Sequence, residues 1–360
     1  MTNKSPLLAR PGAVEAGGAD AGVASHYGEP LREQRALAAG TAVVDLSHRG
    51  VVTVAGPDRL SWLNTLSSQQ LTNLAAGQSS ELLLLSVQGR IEFDARVVDD
   101  GATTWLIVEA AEAGPLAEWL NRMKFMLRVE ITDVSADWAV LGTTRKVLEW
   151  SGLLVWEDPW PHVGAGGYSY AVVGEDAHPG LERPWFEYLV PAAELEATVG
   201  DRPLAGVWAA EALRIAAWRP RWGAETDDRT IPHELDLLRT AVHLNKGCYK
   251  GQETVARVHN LGHPPRRLVF LQLDGSQHTM PAVGSEVRSG DRKVGTVTSV
   301  AQHYEMGPVA LAVVKRSVPP EEVLTVLDGD EPYTAAQEVI VAPDAGQVVG
   351  RQTGFLRGTR

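Results

Sequence analysis

Cysteine is nearly absent from this chain: Cys248 is the only one in 360 residues. One thiol forms no internal disulfide, and alone it completes neither a zinc site nor an iron–sulfur cluster, which take several ligands. A reducing, cytoplasmic setting is the expectation. Positive charge is also short. The 33 Lys and Arg against 45 Asp and Glu leave a net charge of −12, which argues against general nucleic-acid or anionic-membrane binding, since both need clustered cations. A local basic pocket for a small anion remains compatible with that total. No stretch approaches the roughly 20 apolar residues needed to cross a bilayer, and the short apolar run between Lys4 and Arg10 is no signal-peptide core. The ten histidines have no tight ligand spacing to carboxylates or to a second cysteine, so no metal site is expected. Glycine-rich dinucleotide and nucleotide fingerprints and the serine-hydrolase elbow are missing from any strand-to-helix context.

What the chain does have is apolar material, 44% of its residues, enough for two or three domains. Residues 1–25, rich in Gly and Ala, read as a weakly ordered leader, and 26–39 as a short surface helix, so 1–40 stands apart. Residues 41–135 read as an α+β lobe. Its strands, near 51–54, 81–87, 91–98 and 103–109, are too closely spaced for helical crossovers between all of them, which excludes a doubly wound sheet. Residues 136–263 loosely repeat that order, with a helical run near 145–150, strands at 168–173 and 185–190, and a clear helix at 204–218. From 264 to 360 the short strands 268–273, 286–288, 293–300 and 309–315 read as a small antiparallel β-barrel.

Several positions can carry chemistry. Cys248 sits in the run Lys246, Gly247, Cys248, Tyr249, Lys250, Gly251, Gln252, Glu253, between two cations and just before a helix-like run; both features favour a thiolate. A lone cysteine is otherwise a small buried hydrophobe. Asp94 lies on the strand face opposite Phe93, Ala95 and Val97, either solvated or lining a cavity, where its carboxylate meets a ligand amine. Glu187 stands among Trp185, Phe186 and Tyr188, and an acid there needs a partner if it is buried. Arg214 and Glu211, three apart on a helix, suit a surface ion pair. The loop from Arg219 to Arg229 brings Arg219, Arg221 and Trp222 together, suited to holding a carboxylate and a flat ring or simply to packing a turn.

The cysteine run resembles the signature of the YgfZ-type folate-binding proteins, relatives of the glycine-cleavage T-protein (aminomethyltransferase). The likeness extends over most of 41–360. It takes in Asp45, Leu46 and Ser47, then Gly56, Pro57 and Asp58, and Gln88, Gly89 and Arg90 ahead of Asp94. It also takes in Glu211 to Arg214, the loop ending at Pro232, and Gly295 to Thr298. The resemblance implies two α+β lobes and a C-terminal barrel around a central channel holding tetrahydrofolate or a related reduced folate. Carried over, Glu187 accepts from the pterin edge, Arg214 lies along the pocket, and Asp94 faces the reacting nitrogens, with Phe93 where T-proteins often have a second acid. Lys246 and Lys250 would lower the pKa of Cys248, and Gln252 and Glu253 would shape the helix start. The implied role is assembly or repair of iron–sulfur clusters in client proteins, with Cys248 and Asp94 as the reactive groups. A folate-dependent aminomethyltransferase or demethylase, and a non-catalytic folate sensor or scaffold, are the alternatives.

Overall fold

The computed structural model describes residues 4–276 and 279–347. In chain order the N-terminal part gives β1 (Val14–Glu15), β2 (Ala24–His26), α1 (Pro30–Ala38), β3 (Val43–Asp45), β4 (Gly50–Ala55), α2 (Arg59–Leu66), β5 (Ser79–Leu85), β6 (Ile91–Asp99), β7 (Thr103–Val108), α3 (Ala110–Met123) and β8 (Glu130–Asp133). The middle part gives β9 (Trp138–Thr143), β10 (Leu154–Glu157), β11 (Phe186–Pro191), α4 (Leu195–Val199), β12 (Leu204–Ala205), α5 (Val207–Ala216) and α6 (Gln252–Leu261). The last part gives β13 (Arg266–Leu273), β14 (Glu286–Ser289), β15 (Arg292–His303), β16 (Gly307–Lys315), β17 (Leu324–Asp328) and β18 (Glu331–Val339).

These strands build a sheet of order β5-β6-β7-β4-β8, a second of order β10-β11-β9-β3-β12, and a closed antiparallel barrel β13-β16-β15-β14-β17-β18. This is the T-protein fold, with mixed α+β sheets and a C-terminal barrel. Side-chain alternation explains how the two sheets meet. On β6, Ala95 and Val97 enter the core under α2 and α3, while Val98 turns the other way into a core shared with the second sheet. On β11, Phe186, Tyr188 and Val190 pack outward under α4, while Leu189 faces the first sheet. Asp94 and Arg96 share a face with Val98, and Glu187 shares one with Leu189, so the polar residues of both strands are carried to the junction.

Five expectations are corrected. Residues 4–25 are built into the body: Leu7 and Val23 are completely buried, and Ser5 donates its N–H to the Gly22 carbonyl at 2.8 Å. Residues 168–173 form no strand, only one bridge between Ala171 and Val341, because the Tyr170 N–H is taken by the Asp236 carboxylate instead of a ladder. The helical run near 145–150 shrinks to a short 3-10 turn, Leu148–Trp150. The barrel needs β17 and β18, beyond the four expected strands, to close. Finally, β3 falls within the 41–135 segment but pairs with β9 and β12 in the second sheet. Among the described residues, no helix is long and apolar enough to cross a membrane.

Candidate functional site

Where the sheets, α5 and the loop after it converge, the structure leaves two small polar cavities, of about 30 Å³ and about 10 Å³. Glu187 and Arg214 line the larger, Asp94 the smaller, and Arg96, Arg219 and Arg221 border both. Three of the positions singled out in the sequence therefore meet at one place.

Glu187 is 2% exposed. Its Oε1 accepts the indole N–H of Trp185 at 3.0 Å, and Arg96 Nε lies 3.4 Å from Oε2. Burial pushes this carboxyl up, but the Arg96 and Arg49 charges outweigh it and hold the group below its ordinary range. The neighbouring strand makes room for the arrangement at Gly142, directly across from Glu187, where a Cβ would stand 2.6 Å from the Trp185 ring.

Arg214 is paired with Glu211 at 2.9 Å, but the pair is buried and not a surface one, with 5% of the arginine side chain exposed. Its Nη1 donates to the Arg219 carbonyl and to Glu225, and its Nη2 to Ser299 Oγ on β15. The guanidinium thus ties α5 to the barrel.

Asp94 is half-buried. Burial, then the Glu81 charge, pushes its carboxyl up to about 7 against the pull of Arg219 and Arg96. The space beside it is filled by the loop arginines. Arg219 Nη2 donates to Glu81 at 2.6 Å and its Nε reaches Asp158 at 3.3 Å. Arg221 Nη2 donates to Asp20 at 2.6 Å and to Glu109 at 2.7 Å, and Glu109 also pairs with Arg49. Asp20, Glu81, Glu109, Glu112 and Asp158 went unnoticed in the sequence, where isolated acids spread over 140 residues give no spacing signal. The one legible hint was Arg219, Pro220, Arg221, two cations on a stiff segment.

Cys248 is exposed and lines neither cavity. The lysines expected to act on it are committed elsewhere. Lys246, buried, donates its ammonium to the carbonyls of Asn64, Ser67 and Gln69 at 2.5–2.7 Å, satisfying one orphan C-terminal carbonyl of α2, that of its capping residue and one in the turn that follows. Lys250 pairs with Glu92 at 3.1 Å. Tyr249 is buried in the core, with the Lys246 ammonium 5.2 Å from its ring centre. Gly251 caps α6 at φ 87°, and a Cβ there would come within 2.6 Å of the Ser86 carbonyl in the β5–β6 turn. Gln252 opens α6 and, at 3.4 Å, donates to the Lys246 carbonyl; Glu253 lies in its first turn. Gly247 has open space around it.

Residues 23–144 match the family model of the GCVT N-terminal domain. The chain is 27% identical over 297 residues to an aminomethyltransferase of Symbiobacterium thermophilum, covering 76% of this chain and 78% of that protein. It is 29% identical over 318 residues to one of Corynebacterium aurimucosum, covering 80% and 82%. A putative chloroplastic transferase of Arabidopsis thaliana is 26% identical over 328 residues, covering 83% and 72%. Among solved structures, the glycine cleavage system aminomethyltransferase T of Bartonella henselae superposes with a TM-score of 0.72 at 18% identity, over 93% of this chain and 94% of that one. Matched domain, relatives and fold together support the T-protein superfamily, with aminomethyltransferases as the similar proteins.

Proposed function

We propose that this chain is a cytoplasmic protein that binds a reduced folate, tetrahydrofolate or a close relative, at the central junction. In this reading it supports assembly or repair of iron–sulfur clusters in client proteins, with Cys248 as the group that meets the client. The observation that carries the reading is the build of the cysteine loop. Lys246, Tyr249, Lys250, Gly251 and Gln252 each fix the segment to the body, and the thiol they surround is exposed. A free cysteine with only a packing role sits inside. A thiol on a fixed support is available for a transient mixed disulfide, persulfide or cluster contact, and one thiol suits a transient bond better than a permanent cluster.

Glu187 suits a folate in kind: it is a buried carboxylate whose Oε2 accepts no hydrogen bond, the complement of an edge with paired N–H donors. The space does not suit it in this conformation. Cavities of about 30 Å³ and 10 Å³ admit water, whereas small-molecule sites run from about 300 Å³ upward. The proposal therefore requires Arg219 and Arg221 to withdraw from the junction.

The test is Cys248→Ala in cells, with tetrahydrofolate titration of the purified protein. The expected outcome is reduced activity of iron–sulfur enzymes with folate binding intact. Unchanged cluster-enzyme activity removes the cysteine role, and no folate binding by the wild-type chain removes the ligand. Aminomethyl transfer is the second reading, favoured by Asp94 lying on the cavity without an ion pair among the described residues. It requires methylene-tetrahydrofolate production that Asp94→Asn abolishes.

A further inference from the structure

We propose that Glu112 is the second acid of the central site: buried beside Asp94 without a cation of its own, it stays protonated at neutral pH and leaves Asp94 to exchange a proton with an amine nitrogen placed in that cavity. Four carboxyls border the small cavity, namely Glu81, Asp94, Glu109 and Glu112, against the guanidiniums of Arg96, Arg219 and Arg221. The arginines are already distributed. Arg219 goes to Glu81 and Asp158, Arg221 to Asp20, Glu109 and Glu211, and Arg96 to Glu187 and Glu109. Asp94 and Glu112 are left without an ion pair among the described residues.

They are also held together. Glu112 stands in the first turn of α3, 1% exposed, and its Oε1 accepts the backbone N–H of Asp94 at 3.1 Å. Its Oε2 accepts the N–H of Glu109 at 3.2 Å. Two carboxyl groups on one small cavity, Glu112 buried and neither with an ion pair among the described residues, resist ionising together, so one keeps a proton. The charges facing the pair agree in direction. Burial, then the Asp94 charge, raises Glu112 to about 9, outweighing Arg96 and Arg49. Burial, then Glu81 on β5, with Asp158 after β10 adding to them, raises Asp94 to about 7 against Arg219 and Arg96. At neutral pH Glu112 holds its proton and Asp94 is poised. The second acid that Phe93 does not supply from β6 thus arrives from α3. When an ammonium meets the ionised Asp94, its N–H bond breaks, the electron pair stays on nitrogen, and the proton joins the carboxylate. An amine as ligand rests on the central junction being a ligand site; the proton on Glu112 does not.

The test is infrared spectroscopy of the ligand-free full chain over pH 5–10, for wild type, Glu112→Gln and Asp94→Asn. The wild type is expected to show a protonated-carboxyl band at pH 8 that Glu112→Gln removes. Asp94→Asn, which takes away the neighbouring charge, is expected to lower the band's midpoint by about one pH unit or more, a tenfold loss of proton affinity. A glutamate that only caps α3 would be ionised, and the band would be absent or unmoved in both variants; either result overturns the proposal. Asp94→Asn supplies the midpoint even if Glu112→Gln does not fold. Folate titration is separate, so a chain that binds no folate but shows the band keeps this inference and loses the ligand.

Discussion

Replacing Arg221 by Met tests whether the central ion network holds the lobes together. Arg221 has 7% of its side chain exposed and pairs with Asp20 from the N-terminal segment, Glu109 at the foot of α3, and Glu211 on α5. Methionine keeps the apolar stem and takes one cation from three carboxylates, of which Glu211 keeps Arg214 and Glu109 keeps Arg49. Breaking a buried pair from one side costs about 3–5 kcal/mol, mostly because the surviving charge is uncompensated. The sign of the pH dependence is fixed by Glu211. Burial raises its pKa, but Arg214 and Arg221 overcome this and bring it from 4.5 to about 2. Its contribution is therefore present above about pH 4.5 and lost as pH falls toward 2. In Arg221→Met these carboxylates, each with one cation fewer, take up protons more readily, so the loss is largest near pH 8 and shrinks on acidification. Urea unfolding followed by the fluorescence of the 11 tryptophans measures this, in a cycle with Asp20→Asn. A loss below about 1 kcal/mol at pH 8, or strict additivity of the two substitutions, refutes the reasoning.

Two further outcomes concern the cysteine loop. Lys246→Met removes the three hydrogen bonds that close the end of α2, and is expected to cost about 3 kcal/mol and open the loop to protease cleavage near Cys248; an unchanged unfolding midpoint counts against the anchor. Gly251→Ala puts a Cβ at φ 87° and 2.6 Å from the Ser86 carbonyl, a loss of about 1–3 kcal/mol by thermal unfolding. Gly247→Ala meets nothing and is expected to be near neutral, so equal effects at the two glycines contradict the packing account.

The legible parts of the fold were those with local signals. Helices α1, α2, α3 and α5 followed apolar spacing and turn residues, and strands β5, β6 and β13 to β16 followed short apolar runs bounded by turn residues. What escaped depended on distant partners. Strand β3 is three residues long and exists because β9 and β12 flank it. Residues 168–173 have strand composition but lose their ladder to Asp236. The site divides in the same way. Asp94 and Glu187 stood out because an acid inside a strand of apolar or aromatic neighbours is unusual, whereas Asp20 and Glu112 lie in segments whose local pattern gives no reason for burial. The lysines beside Cys248 show the limit of reading charge from adjacency: two residues in sequence from the thiol, the Lys246 ammonium is bound to carbonyls at and just after the end of α2 instead.

The same network that stabilises the junction opposes occupancy of it. Any ligand of folate size must displace Arg219 and Arg221, and the free energy of opening is subtracted from its intrinsic binding. If opening costs about 3 kcal/mol, the competent state is populated below about one part in a hundred, and the apparent Kd is weaker than the intrinsic one by the same factor. Arg221→Met removes part of that opposition. It is expected to unfold more easily and yet to bind tetrahydrofolate more tightly, by up to about a hundredfold. Stability and affinity moving in opposite directions is the signature of a closed site held shut by its own arginines. If both fall together in an isothermal titration at pH 7.5, Arg221 belongs to the ligand's own contacts, and the closed junction is not what limits binding.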